Sequence, residues 1–241
     1  MMQPLHTLTA KELAATTSKT LDEYQQDATQ FWEGTRHHDV SQNIDALLRN
    51  IRSKPPFKLL DLGCGPGRDL LTLTQLGHHP IGVDGCQAFV EMAKKQTGCD
   101  VWHQDFLNLH LPDSTFDGIF ANASMFHVPT QELHRVLQQL YACLKPDGVL
   151  FCSNPRGPDI ERFTGGRYGA FLEWETWRGY LLGAGFSELE YYYRPQGRPR
   201  AEQPWLATLW RRAQLTECPN PESSRPVSYT HLRAHETDSY L

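Results

Sequence analysis

The sequence predicts an α/β fold, a doubly wound and mostly parallel sheet with helices on both faces. Three observations carry this expectation. From residue 54 to residue 212, short apolar runs that stop at Gly or Pro alternate with segments of helical period. Three closely spaced glycines end the first apolar run and open a helix. The last two strand signals are joined by a stretch with no helical period, so they read as an antiparallel pair at the sheet edge.

In chain order, residues 1–53 are polar and helical in pattern. Leu21 to Trp32 reads as one helix. Ile44, Leu47, Leu48 and Ile51 mark one face of another, with Asp39 or Ser41 available to cap it. Pro55-Pro56 ends this zone. Phe57–Leu62 is a buried-strand signal. The helix through Leu70, Leu73 and Leu76 closes at Gly77. A strand at Pro80–Asp84 leads to a helix bearing Cys86, Phe89, Val90 and Ala93. Val101–Gln104 and Phe116–Asn122 read as strands three and four. The helix from Thr130 has the clearest apolar stripe: Leu133, Val136, Leu137, Leu140, Tyr141, Leu144. A turn at Pro146-Asp147-Gly148 precedes strand five, Val149–Ser153. A helix near Trp174–Ala184 and strands at Phe186–Tyr193 and Leu206–Arg211 complete the domain. Residues 154–172 read as a loop that shapes a pocket, against the alternative of a disordered linker at Gly165-Gly166. Residues 213–241 form a tail rich in Pro, Ser and Thr. Its end, Val227–Thr237, resembles translated adapter or vector sequence and is expected to be flexible and non-native.

Composition narrows the function. The 241 residues carry 23 Lys plus Arg against 28 Asp plus Glu, a net charge of −5. That balance disfavours a general nucleic-acid binder, and the arginines of residues 194–200 read as a solvated turn. No apolar run approaches the roughly 20 residues that span a bilayer. The six cysteines include no CxxC pair, so neither a zinc ribbon nor a redox motif is expected, and no metal site is assigned. The absence of a leader pattern and the free-cysteine usage point to a cytoplasmic setting.

The chemistry-bearing run is Leu59-Leu-Asp-Leu-Gly-Cys-Gly-Pro-Gly-Arg-Asp69. Glycine is needed where a chain turns sharply and a ligand approaches the backbone, and the following helix start presents free N–H groups. Asp84 lies 23 residues after Asp61, at the end of the next strand. A carboxylate at that separation bonds ribose hydroxyls in dinucleotide-binding folds. Asp105-Phe106 follows the third strand, where a carboxylate can accept from an adenine amino group beside an aromatic ring.

Together, Asp61 through Gly67, Asp84, Asp105-Phe106 and Leu144-Lys-Pro-Asp-Gly148 resemble a class I S-adenosylmethionine-dependent methyltransferase. The stretch Phe116–Pro129 resembles a subgroup of small soluble bacterial members. The resemblance covers residues 21–211. It implies a Rossmann-like sheet of seven strands with the last antiparallel, an N-terminal helical cap over 1–53, a cofactor-binding catalytic domain over 54–212, and S-adenosyl-L-methionine as cofactor. It also implies roles. Asp61, Gly63, Cys64, Gly65 and Gly67 hold the methionine portion. Asp84 and the adjoining Gly85 address the ribose. Asp105 and Phe106 address adenine. Asn122 and Ala123 line the path to the sulfonium. The departure is Asp147, where Gly is commoner. It lies in a turn and is not expected to affect the chemistry.

On the acceptor side, His127 is the candidate general base, set against a histidine that only orders its loop. Tyr24, Phe31 and Trp32 are candidate lid residues facing a sulfonium cation, against simple packing. Arg36 is a candidate partner for a cofactor carboxylate, against a surface ion pair. The expected activity is methyl transfer by in-line displacement to a small-molecule acceptor, with oligomeric state open. A DNA base is disfavoured because Asn122-Ala-Ser-Met replaces the Asn/Asp-Pro-Pro-Tyr run of enzymes that methylate exocyclic amines of DNA. The alternatives are a protein or RNA methyltransferase, a non-catalytic S-adenosylmethionine-binding protein, and an NAD-dependent oxidoreductase, whose loop spacing is GxGxxG rather than the GxGxG found here.

Overall fold

The computed structural model describes residues 7–213. The expected tail beyond residue 213, with Cys218, lies outside the described residues.

Three helices precede the sheet: α1 (Ala10–Gln26), α2 (Ala28–Thr35) and α3 (Ser41–Asn50). Thr9 and Glu12 form a reciprocal capping box at the start of α1. The stretch expected as a single helix through Trp32 is interrupted at Asp27, which ends α1 and begins α2. Asp39 Oδ1 accepts from Ser41 N at the entry to α3. The central layer then alternates: β1 (Lys58–Leu62), α4 (Arg68–Gln75), β2 (His79–Asp84), α5 (Gln87–Thr97), β3 (Val101–His103), β4 (Phe116–Asn122), α6 (Thr130–Cys143) and β5 (Leu144–Pro155). After it come β6 (Ile160–Thr164), β7 (Arg167–Phe171), α7 (Trp174–Gly183), β8 (Phe186–Arg194) and β9 (Trp205–Arg212).

Seven strands form one sheet in the order β3-β2-β1-β4-β5-β9-β8. The pairs from β3 to β5 are parallel, and β9 is antiparallel to both β5 and β8. The expected edge pair is therefore present, with the final strand inserted inside its predecessor. The strand order reverses between β1 and β4, and the crevice at that reversal is where ligands bind in open α/β sheets.

The two-residue period of the strands builds two cores. Leu60, Ile119, Ala121, Leu150 and Cys152 face α6 and α7. Leu59, Phe120, Val149 and Phe151 face the other way, onto Ile44 and Leu47 of α3. The 1–53 segment, expected as one cap, is thus divided. Its last helix covers the sheet, while α1 and α2 lie over the reversal point, where Tyr24, Ala28 and Phe31 pack against Phe89.

Two further expectations need correction. Residues 154–172 are neither an irregular loop nor a linker, because β6 and β7 pair as a separate antiparallel hairpin. The fifth strand begins at Leu144, which pairs with Phe116 before a register shift. Asp147 sits in that irregularity at φ 64°, which explains why glycine suits the position.

The apolar stripe of α6 sets a measurable scale. Leu137 is fully buried and Leu76 is 53% exposed. Leu137→Ala is expected to lower the unfolding free energy by about 2–5 kcal/mol. Leu76→Ala should stay within about 0.5 kcal/mol. Equilibrium urea unfolding of the two variants checks this, and equal effects would contradict the placement of α6.

Candidate functional site

The loop between β1 and α4 turns because its glycines take conformations that other residues avoid. Gly63, Gly65 and Gly67 have φ of 74°, 53° and 98°. A side chain on Gly63 would collide with Ser124 and press on Phe106. Gly67 does different work. It lies against α5, with a Cβ there 2.9 Å from Ala93 Cα, so it serves close packing rather than the cavity.

The loop folds onto Asp84. Asp84 Oδ2 accepts from Gly65 N at 2.8 Å, and Oδ1 accepts from Cys86 N at 2.8 Å. Burial pushes the Asp84 carboxyl up to about 6, although those backbone bonds pull the other way. Asp61 is also buried behind the loop. Burial, with the Asp69 charge, raises it well above the carboxylate range, and its Oδ2 accepts no hydrogen bond. Arg68 is the cation facing this group: it grips Asp69 at 2.7 and 2.9 Å and donates to the Thr35 carbonyl at 3.0 Å.

These elements bound a cleft of about 680 Å³, counting its open mouth. Its walls include Gly63, Gly65, Asp84, Gly85, Asp105 and Phe106 from the core, and Thr17, Leu21, Tyr24 and Phe31 from the cap. Asp105 is tied to its own turn, accepting from Leu107 N at 2.8 Å and from the Asn108 side chain.

Ala123 (φ 59°) redirects the chain after β4, and Ser124, His127 and Val128 then line the cleft. Burial holds the His127 imidazole down to about 4, so the ring is neutral at pH 7. Its Nδ1 is 2.6 Å from the Tyr168 carbonyl and its Nε2 is 2.8 Å from the Tyr24 hydroxyl. A carbonyl only accepts, so Nδ1 carries the proton, and Nε2 accepts from the Tyr24 O–H. Burial raises the Tyr24 phenol, and the neighbouring Arg167 opposes that rise.

Besides Asp61 and Gly67, four expected site residues stand outside the cleft walls. Arg36 pairs with Glu33 at 2.9 Å on the surface, 41% exposed, and does not line the cleft. The cation near the loop is Arg68 instead. Asn122 turns away from the cleft: its Oδ1 accepts from Asn43 Nδ2 at 2.9 Å. Cys64 directs its thiol into the apolar cluster with Leu70 and Val90, where burial raises it. Trp32 is likewise absent from the cleft walls. Residues not anticipated are Thr17, Thr20, Ser124 and the Tyr168 carbonyl. None has a sequence signal, because each reaches the site through helix or hairpin packing. Among the described residues no group of His, Cys, Asp and Glu is arranged to hold a metal ion, and no helix is long and apolar enough to cross a membrane.

Part of the chain resembles known proteins. Residues 59–148 match a family described as a methyltransferase domain. A mouse protein named probable tRNA methyltransferase 9B is 36% identical over 130 residues, covering 48% of this chain and 28% of its own length. The demethylmenaquinone methyltransferase of Symbiobacterium thermophilum is 31% identical over 135 residues, covering 51% of each. The chain thus spans between about a quarter and a half of these curated relatives. A crystal structure of Burkholderia thailandensis 1,6-didemethyltoxoflavin-N1-methyltransferase, with 1,6-didemethyltoxoflavin and S-adenosylhomocysteine bound, superposes with a TM-score of 0.69 at 21% identity. It covers 89% of this chain and 94% of that one.

The buried neutral histidine has a thermodynamic signature. The folded His127 binds its proton near pH 4, the unfolded one near 6.5. The unfolded state therefore gains protons first as pH falls, and wild-type stability drops between those values. His127→Gln removes this term. Relative to wild type, the variant is expected to gain up to about 3 kcal/mol between pH 7 and pH 4. Urea unfolding at four pH values measures it, and a constant difference would contradict the assignment.

Proposed function

We propose, from the premise that residues 59–148 are a methyltransferase domain of the class I S-adenosylmethionine-dependent type, that this chain transfers a methyl group from S-adenosyl-L-methionine to a small molecule. One observation carries the reading: a glycine-cradled cleft at the sheet reversal, floored by Asp84 and closed over Tyr24 and His127.

The residues present suit this cofactor. The Asp61 Oδ2 is a buried carboxyl oxygen without a hydrogen-bond partner, and a cationic amino group beside it would supply that partner and favour its ionised form. The bare Gly63 leaves room that a side chain would fill. Asp84 has two carboxylate oxygens at the cleft floor for a ribose diol, and Phe106 has a ring for a flat base. When bound, S-adenosylmethionine supplies an electrophilic methyl group on a positively charged sulfur.

The protein's part is alignment. Holding two reactants in line can supply on the order of 7–11 kcal/mol. The cap helices α1 and α2 close the cleft and exclude water. Tyr24 Oη is a cleft hydroxyl, held by its bond to the neutral His127 Nε2, that can hydrogen-bond an acceptor and align it. The Tyr168 carbonyl keeps the imidazole in the tautomer that can accept. His127 therefore acts as the positioning partner of Tyr24, and its lowered basicity weighs against a direct role as general base.

A second reading, methylation of RNA, has one observation in its favour: the relative named as a tRNA methyltransferase. The net charge of −5 weighs against it.

Calorimetric titration with S-adenosylmethionine, S-adenosylhomocysteine and NAD tests the assignment. The first two should bind and NAD should not; binding of NAD alone would reject it. Asp84→Ala should weaken S-adenosylhomocysteine by about 1–3 kcal/mol with the fold intact. Ribose hydroxyls donate to the ionised carboxylate, so wild-type affinity should fall as pH drops below about 6, and the variant should lose that dependence. With an acceptor in hand, Tyr24→Phe should lower kcat/KM by about tenfold, through the loss of one hydrogen bond that aligns the acceptor. A unit effect would remove Tyr24 from that role.

A further inference from the structure

Arg162 and Arg167 occupy one face of the β6–β7 hairpin. The register sets Arg162 opposite Gly169 and Thr164 opposite Arg167. The two arginines are thus diagonal neighbours, a spacing of about 7–8 Å. Gly165 and Gly166, at φ 54° and 78°, make the tight turn that fixes this pairing.

That face is turned toward Tyr24 and His127. The Arg167 guanidinium lies 5.0 Å from the centre of the Tyr24 ring, and that of Arg162 lies 4.8 Å from the Phe171 ring. Phe171 packs on Phe126, whose ring centre is 3.9 Å from that of His127. Gly169, between the arginines, has no side chain to fill the space, and a Cβ there would press on Phe171 and Phe126.

A guanidinium carries five N–H donors, so Arg167 keeps donors beyond the one it gives the Tyr24 side chain. Neither arginine belongs to any ion pair among the described residues. The acidic residues of the same elements are otherwise placed. Glu161 accepts from Thr130, and Glu23 packs against the Gly166 backbone. Lys19 sits over Phe163, which points to the opposite face of the hairpin, so it is not part of this pair.

We propose that Arg162 and Arg167 receive an anionic group, carboxylate or phosphate, carried by the methyl acceptor. The inference rests on the reading of the cleft as a methyl-transfer site. A cationic acceptor would meet the Arg167 charge beside a sulfonium. An anionic one is drawn to both, and a planar fork holds either oxyanion by paired charge-assisted bonds. The hairpin therefore selects the acceptor, while the glycine loop selects the cofactor.

The test uses the full chain loaded with S-adenosylhomocysteine, titrated calorimetrically with inorganic phosphate and with malonate at low ionic strength, against sodium chloride. Saturable binding of at least one oxyanion is expected. Its Kd should rise at least about tenfold in Arg167→Gln and in Arg162→Gln, while Arg167→Lys, which keeps the charge, falls between. The affinity for S-adenosylhomocysteine should not change in any of them. Binding of phosphate alone or malonate alone identifies the acceptor's group. Oxyanion binding no better than chloride, or equal in wild type and both glutamine variants, overturns the proposal. Failure of S-adenosylhomocysteine itself to bind rejects the methyl-transfer reading instead, so the two are separable.

Discussion

Buried carboxyl groups at the sheet reversal are the constraint on which the rest of this structure depends. Asp61, Asp69 and Asp84 are all nearly inaccessible, and a single guanidinium, Arg68, faces the first two. Burying carboxylates is expensive unless donors or cations compensate. Here the compensation is partial: Asp84 receives two backbone N–H groups, Asp69 receives Arg68, and Asp61 keeps one unpartnered oxygen. A site left this way is better satisfied by a cationic, hydroxyl-bearing ligand than by its own protein. The strain is local, and the surrounding apolar cores hold it in place.

The same constraint reaches outward through hydrogen bonds. Arg68 ties α4 to the end of α2 through the Thr35 carbonyl. Asn122 bridges Asp69 to Asn43 of α3, and Asn43 in turn accepts from the Tyr192 hydroxyl of β8. Elements remote in sequence are thereby registered against the glycine loop. This explains why α3, in a segment expected to act wholly as a lid, is committed to the sheet. Only α1 and α2 remain over the cleft, where their contacts are made with side chains that also bound the site.

The second organising contact is the hairpin. Tyr168 N donates to Thr20 of α1, and its carbonyl accepts from His127. One residue therefore docks the cap and fixes the imidazole tautomer. The cap, the post-β4 turn and the hairpin meet at Tyr24 and His127, and the polarity of that meeting point follows from three separate pieces of chain. A histidine bonded at both nitrogens and buried has little tendency to protonate, which suits it to orient the Tyr24 hydroxyl as a neutral acceptor.

The alternation of apolar runs and helical stripes determined the sheet, its helices and the antiparallel edge, because side-chain periodicity is a local property. The spacing from Asp61 through Gly67 to Asp84 and Asp105 determined where the cleft had to be, because tight turns need glycine and the ends of parallel strands converge. Other features belonged to tertiary structure alone. The hairpin of residues 160–171 was hidden because its exposed residues, among them Arg162 and Thr164, carry no apolar alternation. Arg36 and Asn122 were misplaced because motif position does not state a rotamer: a surface glutamate and a buried asparagine captured them. The bond from Tyr24 to His127 spans 103 residues, and no local pattern encodes it. It exists because two packed layers bring a helix of the cap and the turn after β4 to the same few ångströms.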